Sequence, residues 1–341
     1  MARAVTAPHS LRNAGARARR EPNGFGHAQV AQIQRARILA AMFDVVTERG
    51  VGNVSVAHVV QRSGVSRRTF YEVFGGREDC FLAAFDDALA FVSQRVLPAY
   101  AAEKTWRDRI RAGLFALLTF LDEEPVIGRL LIVESLSAGP RTLERRNHVL
   151  ALVAAAVDEG RTQSATAASL PSLTAEGLVG GALALIHTRL ALADHEPLLG
   201  LTNQLTSMIV LPYQGAAAAR RELDRSVKPC VSEGPKARLL SDPFKGANMR
   251  LTYRTVRVLL AVAEHPSASN RLIGESAGIV DQGQISKLLA RLERLGLISN
   301  SGLGPGQGAP NAWSLTSTGQ QVVNSVRAHT DNSNPEGDSK R

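Results

Sequence analysis

The sequence predicts an all-α protein that ends in a small helical domain carrying one pair of short strands. Three observations support this. The chain of 341 residues is 44% hydrophobic but only 5% aromatic, so its apolar content is largely alanine and aliphatic side chains, which suits helices better than sheets. Apolar residues recur at helical spacing in stretch after stretch. Strand-like runs are confined to residues 297–299 and 312–315, either side of the glycine-rich SGLGPGQGAPN.

Composition bounds the function. A chain of this length has room for two or three domains. Its 40 Lys+Arg against 31 Asp+Glu give a formal charge of +9, which favours a polyanionic partner, although basicity alone shows only solubility and a general attraction to phosphate. Cys80 and Cys230 lie far apart with no Cys or His at ligand spacing. They read as reduced thiols of a cytoplasmic protein, with no structural zinc, no other metal, no disulfide framework and no cofactor. No apolar run approaches a membrane span, and the first twenty residues lack the apolar core of a signal peptide.

Residues 1–28 carry Arg3, Arg12, Arg17, Arg19 and Arg20 with no acid before Glu21. A disordered tail and an arm lying along the minor groove or the phosphates both fit this pattern. Over residues 31–49, Ile38, Leu39, Met42, Phe43 and Val46 mark an amphipathic helix that Gly50 ends. Two short helices follow around a tight turn. Ser55 is the expected cap of the first, with Val56, Val59 and Val60 on its apolar stripe. Gly64 supplies a left-handed C-terminus, Val65 plugs into the core, and Ser66 caps the next helix. That helix opens Arg67, Arg68, Thr69, Phe70, Tyr71, a poor core surface and a good match to a phosphate-lined groove. Gly75-Gly76 stops it, and a long helix runs over 79–96 with Phe81, Leu82, Phe85, Leu89 and Val92 inward.

The Gly64-Val65-Ser66 turn, Thr69-Phe70-Tyr71, Phe74 and the run Arg77-Glu78-Asp79, with the helix before them, resemble the TetR/AcrR group of bacterial transcriptional regulators over roughly residues 30–90. The resemblance implies a helix-turn-helix domain at 29–92 that binds double-stranded DNA, a helical effector-binding and dimerisation domain, and a homodimer. Ser55, Ser66, Arg67, Arg68, Thr69 and Tyr71 are the expected DNA-binding residues, and Arg77 matches a basic position that touches a phosphate in that family.

Residues 93–225 carry no nucleic-acid signal and read as a bundle, with helices over 106–121, 126–136, 141–161, 174–192 and 198–213. By the resemblance, the last two pair across a twofold axis. The small residues at 180–182 and 184 would allow close approach and equally suit an ordinary tight core. Glu134 and His187 are the expected contacts to a small-molecule effector, whose identity is not legible. The bland alternatives are an ion pair of Glu134 with Arg129 and a satisfied core histidine.

Residues 226–248 shift to Lys, Pro, Ser, Asp and Gly and read as a linker. Beyond it, Val256 to Val262 form one helix, Ser269 caps a second ending at Ala277-Gly278, and Asp281 or Gln282 starts a third. On this third helix Ile285, Leu288, Leu289, Leu292 and Leu295 share one face, while Gln284, Lys287, Arg291 and Arg294 line the other. Two strands around a glycine-rich tip after a helix-turn-helix, closed by Leu315-Thr316-Ser317-Thr318-Gly319, resemble the winged-helix domain of MarR-like regulators over 249–328. A second DNA reader would use Gln282, Gln284, Ser286, Lys287, Arg291 and Arg294, with the wing at 301–311 on the backbone. Contacts to protein are the alternative. Residues 329–341 read as a disordered tail.

Other classes lack their signatures. The glycines at 302, 304, 306 and 308 lead into a strand with no Gly-Lys-Ser/Thr, unlike a nucleotide loop, which opens a helix. No nucleophile elbow, metal-ligand cluster or carboxylate pair with a histidine is present, so an enzyme is not expected.

Overall fold

The computed structural model describes residues 27–192, 196–226, 253–302 and 311–331. The chain divides into two compact units, with main stretches Ala31–Thr252 and Tyr253–Val323. The basic N-terminal stretch before residue 27, the linker core and the wing tip at 303–310 lie outside the described residues.

The first unit begins with α1 (His27–Arg49), α2 (Val56–Ser63), α3 (Arg67–Val73) and α4 (Arg77–Ala101). Ile38, Leu39, Met42, Phe43 and Val46 of α1 are buried, and Gly50 stops the helix at φ 71°. A single 3-10 turn, Val51–Asn53, then carries the chain to Ser55. Gly64 takes the left-handed conformation at φ 66° and closes α2 with its N–H on the Val60 carbonyl, a backbone state that costs glycine nothing and other residues about 1 kcal/mol or more. Helix α4 starts at Arg77, two residues earlier than its apolar pattern suggests, because Glu78 and Asp79 favour a first turn where the helix dipole is positive.

The bundle follows as α5 (Trp106–Glu123), α6 (Pro125–Ile132), α7 (Pro140–Asp158), the single turn α8 (Ala165–Ala168), α9 (Thr174–Ala191) and α10 (Thr202–Leu223). Thr105 caps α5 by accepting the Asp108 N–H, and Pro125 and Pro140 sit in the first turns of α6 and α7, where a missing N–H costs nothing. One buried cluster runs from α1–α4 into α5, α6 and α9, through residues such as Phe81, Phe120, Leu130 and Ile186. A second gathers Trp106, Val157, Val179, Val210 and Tyr213. Gly160 sits against this second cluster: a Cβ there would stand 2.6 Å from the Trp106 ring and 2.8 Å from Tyr213.

Two bundle elements differ from the sequence reading. The helix expected over 126–136 ends at Ile132, and Glu134–Ser137 form a 3-10 turn. The helix expected to end near Pro212-Tyr213 kinks at Gly215 (φ 78°, ψ 174°) and runs on to Leu223. The continuation is held by tertiary ion pairs: Glu222 Oε2 lies 3.1 Å from Arg111 and Oε1 lies 3.3 Å from Arg107.

The second unit contains α11 (Tyr253–Glu264), α12 (Asn270–Ala277), α13 (Gln282–Arg294), strands β1 (Ile298–Asn300) and β2 (Trp313–Leu315), and α14 (Ser317–Asp331). The strands pair antiparallel with Ile298 opposite Leu315 and Asn300 opposite Trp313, and Ala268 bridges to Trp313. Val256, Leu259, Ile273, Ile285, Leu289, Leu292 and Trp313 fill its interior. Helix α14 was not among the elements expected from the sequence; its polar composition hides the buried pair Val322 and Val323.

Candidate nucleic-acid interface

The geometry of α2 and α3 is set by caps. Ser55 Oγ accepts the His58 N–H at 3.3 Å, and the Ser55 N–H donates back to His58 Nδ1 at 3.3 Å. A histidine thus fills the place that Glu or Gln takes in an ordinary capping box. Ser66 Oγ accepts the Thr69 N–H at 2.9 Å and shares a 2.8 Å hydrogen bond with Thr69 Oγ1. Both hydroxyl residues therefore fix where α3 begins, and each is half-buried.

The inward side of α3 is Phe70, fully buried, with Phe74 just past the helix end; their rings lie 5.8 Å apart. Arg35 of α1 covers Phe74 at 5.9 Å and pairs with Asp87 of α4 at 3.1 Å. With that side anchored, Arg67, Arg68 and Tyr71 point outward. Both arginines are exposed, and Tyr71 is 56% exposed, its ring edge-to-face on Phe70. Arg68 pairs with Glu72 at 2.8 Å on the open helix surface, an exposed i,i+4 pair that holds weakly and is readily traded for a phosphate or base. At the end of α2, Arg62 bonds Glu48 and lies 3.3 Å from Asp44, both of α1, and the Arg62 guanidinium holds the Glu48 carboxyl below its ordinary range.

Two site residues have partners that sequence spacing does not show. Arg77 donates to the Val51 carbonyl at 3.2 Å and the Val54 carbonyl at 3.4 Å, so part of its guanidinium fixes the turn before α2. Glu134 Oε2 accepts the Val51 N–H at 2.8 Å. Both peptide groups of Val51 are therefore held, one by α4 and one by the turn after α6. Beside them the Arg141 N–H donates to Glu78 at 3.1 Å, the Arg141 guanidinium meets Asp79 at 3.1 Å, and Arg145 meets Asp86 at 2.7 Å. His187 is half-buried on α9 beside Ile186.

In the second unit Asp281 caps α13 by accepting the Gly283 and Gln284 N–H groups at 2.8 and 3.1 Å. With Ile285, Leu289 and Leu292 buried, Gln282, Gln284, Ser286, Lys287, Arg291 and Arg294 are all exposed. Gln284 accepts from Arg254 at 3.0 Å. A residue missed in the sequence is Asn270: its Oδ1 accepts from Trp313 Nε1 at 2.6 Å and Asn311 Nδ2 at 3.0 Å, and its Nδ2 donates to Ser286 at 3.1 Å. It ties the base of the strand pair to α13. Nothing local in the sequence signals that role, since all three partners are distant in the chain.

Among the described residues no group of three or more His, Cys, Asp and Glu could hold a metal, and no helix is long and apolar enough to cross a membrane. Cys80 is wholly buried, and burial pushes its thiol pKa far up, which leaves it inert.

Residues 38–84 match the family described as bacterial regulatory proteins, tetR family. The chain therefore carries a TetR-family N-terminal domain, and that family is one of regulatory proteins, not enzymes. No curated protein matches the chain. Among solved structures it is similar to the fatty acid degradation regulator FadR from Bacillus halodurans, with 15% identity over 52% of this chain and 94% of that one at a TM-score of 0.46. It is similar to FadR from Bacillus subtilis, solved in complex with stearoyl-CoA, with 17% identity, 53% and 98% coverage and a TM-score of 0.44. A third is a TetR family transcription regulator from Marinobacter aquaeolei VT8, at 21% identity, 53% and 97% coverage and a TM-score of 0.42.

Proposed function

We propose that this chain is a ligand-responsive transcriptional regulator, a repressor, that binds a palindromic operator as a homodimer through α3. The observation that carries the reading is the outward face of α3. Arg67, Arg68 and Tyr71 project from a helix whose start is fixed by Ser66 and whose back is fixed by Phe70 and Phe74. Arginines there suit bidentate contacts to guanine, while Ser55, Thr69 and Arg77 suit phosphates.

Support for the dimer comes from α9. Gly177, Gly180, Gly181, Ala184 and Thr188 form an exposed stripe of small residues flanked by Leu185, which is 50% exposed. A Cβ built on any of those three glycines would meet nothing within 4 Å, so a second copy could approach the backbone closely. Two reading heads held this way must sit about 34–36 Å apart to meet successive major grooves. A small molecule that binds the bundle better in one arrangement shifts the population away from that spacing. The Glu134 link to Val51 and the Arg141 link to Glu78 supply a physical connection between bundle and reading head.

The second unit extends this reading as a winged-helix module, with the exposed polar face of α13 entering a second groove. Leu272 at 44% and Val280 at 95% exposed, both near the turn before α13, favour another use for it, contact with protein. Selection of bound sequences from random duplex DNA by the pure protein tests the whole proposal. A palindromic consensus supports it; recovery of no enriched sequence would refute it.

A further inference from the structure

We propose that the bundle receives the charged end of a small organic anion, a carboxylate or a phosphate, at Arg146 and Thr142 of α7. This rests on the effector-responsive reading above and names the ligand class. The inward face of α7 runs Thr142, Arg146, Leu150, Ala154 and Val157 at helical spacing. Thr142, Ala154 and Val157 are buried, and Arg146 and Leu150 are half-buried. The other buried and half-buried arginines of the bundle have acceptors, as Arg111 has Glu222 and Arg129 has the Leu190 carbonyl. Among the described residues, Arg146 has no such acceptor, and burial pushes its pKa below the ordinary arginine value with no carboxylate to offset it.

The second observation is independent of that charge. Thr142 Oγ1 is buried and has no hydrogen-bond partner among the described residues, although its residue is 0% exposed. Buried polar atoms are almost always paired, so an orphan beside an unpaired guanidinium marks a place where a partner is missing. Residues four apart on a helix are neighbours, which sets the hydroxyl next to the guanidinium. Both can donate, and the guanidinium cannot accept, so the complementary group is an oxygen acceptor with negative charge. A metal cation is excluded by the same chemistry. Leu150 and Ala154, further along the face, suit an apolar body attached to that head.

The test uses the full chain and three probes of matched shape, octanoate, octyl phosphate and the uncharged octanamide, in phosphate-free buffer, read by titration calorimetry and thermal shift. At least one anion should bind and raise Tm while octanamide does neither, and the tighter anion identifies the head group. Arg146→Gln should weaken that binding about 10- to 100-fold and Thr142→Val by a smaller factor, since a hydrogen bond to a charged group is worth more than one between neutral groups. In ligand-free protein Arg146→Met should hold or raise Tm, because no ion pair is removed. Equal binding of octanamide, anion binding that survives Arg146→Gln, no binding of either anion, or a fall in Tm for Arg146→Met would each overturn the proposal. DNA affinity is measured separately with and without the bound anion. Binding through Arg146 that leaves DNA affinity unchanged keeps the anion site and removes the effector-responsive reading instead.

Discussion

Replacing Glu222 by Ala should destabilise the bundle by about 3 kcal/mol, at the lower end of the range for breaking a buried ion pair. The Glu222 side chain is 2% exposed and lies 3.1 Å from Arg111 and 3.3 Å from Arg107. The two arginines are not equivalent. Arg107 is 28% exposed and can swing toward water, while Arg111 is 10% exposed and would retain Asn203 Oδ1, at 2.9 Å, as a neutral acceptor. Arg225, at 3.7 Å and half-exposed, adds little. The loss is therefore one uncompensated buried guanidinium. For a unit of this size, about 3 kcal/mol corresponds to a Tm lower by about 6–12 °C. Trp106 lies in this unit and Trp313 in the other, so urea unfolding followed by fluorescence in a Trp313→Phe background reports the bundle alone. The double variant Arg111→Met with Glu222→Leu should recover most of the stability, because it removes both charges. A single-variant effect under about 1 kcal/mol would show that the pair behaves as a solvated surface ion pair and that the end of α10 is not anchored by it.

Three further outcomes are expected. Arg67→Ala with Arg68→Ala should relax sequence preference by about 1–3 kcal/mol for each guanine no longer bound, read as the affinity ratio between the selected site and a scrambled one; an unchanged ratio would remove α3 from the groove. Ser55→Ala should cost about 1 kcal/mol of stability, read from the urea midpoint, whereas His58→Gln, which keeps an acceptor for the Ser55 N–H, should be nearly neutral, and a large effect of His58→Gln would refute the capping-box assignment. Truncation after residue 248 should leave site-specific binding intact and flatten the slope of log affinity against log salt by about 0.9 for each phosphate no longer neutralised; an identical slope and footprint would assign the second unit to protein contacts.

Local features of this protein were legible in the sequence, because the residues that decide them lie within four positions of one another. Ser55 and Ser66 cap α2 and α3, Gly64 turns between them, and Asp281 caps α13. The periodic apolar faces of α1 and α13 read correctly for the same reason: one helical turn brings every third or fourth residue to one side. Residues whose partners are distant did not read. Glu134 and Arg77 both hold the peptide of Val51, 83 and 26 positions away, and the sequence suggested a ligand for one and a phosphate for the other. Pro212 is a local helix breaker, yet α10 continues beyond it because Glu222 meets Arg111, 111 positions away. Caps and turns are settled by short-range hydrogen bonds and backbone sterics; the fate of a charged side chain is settled by whatever acceptor or donor the fold brings beside it, and only the tertiary structure supplies that.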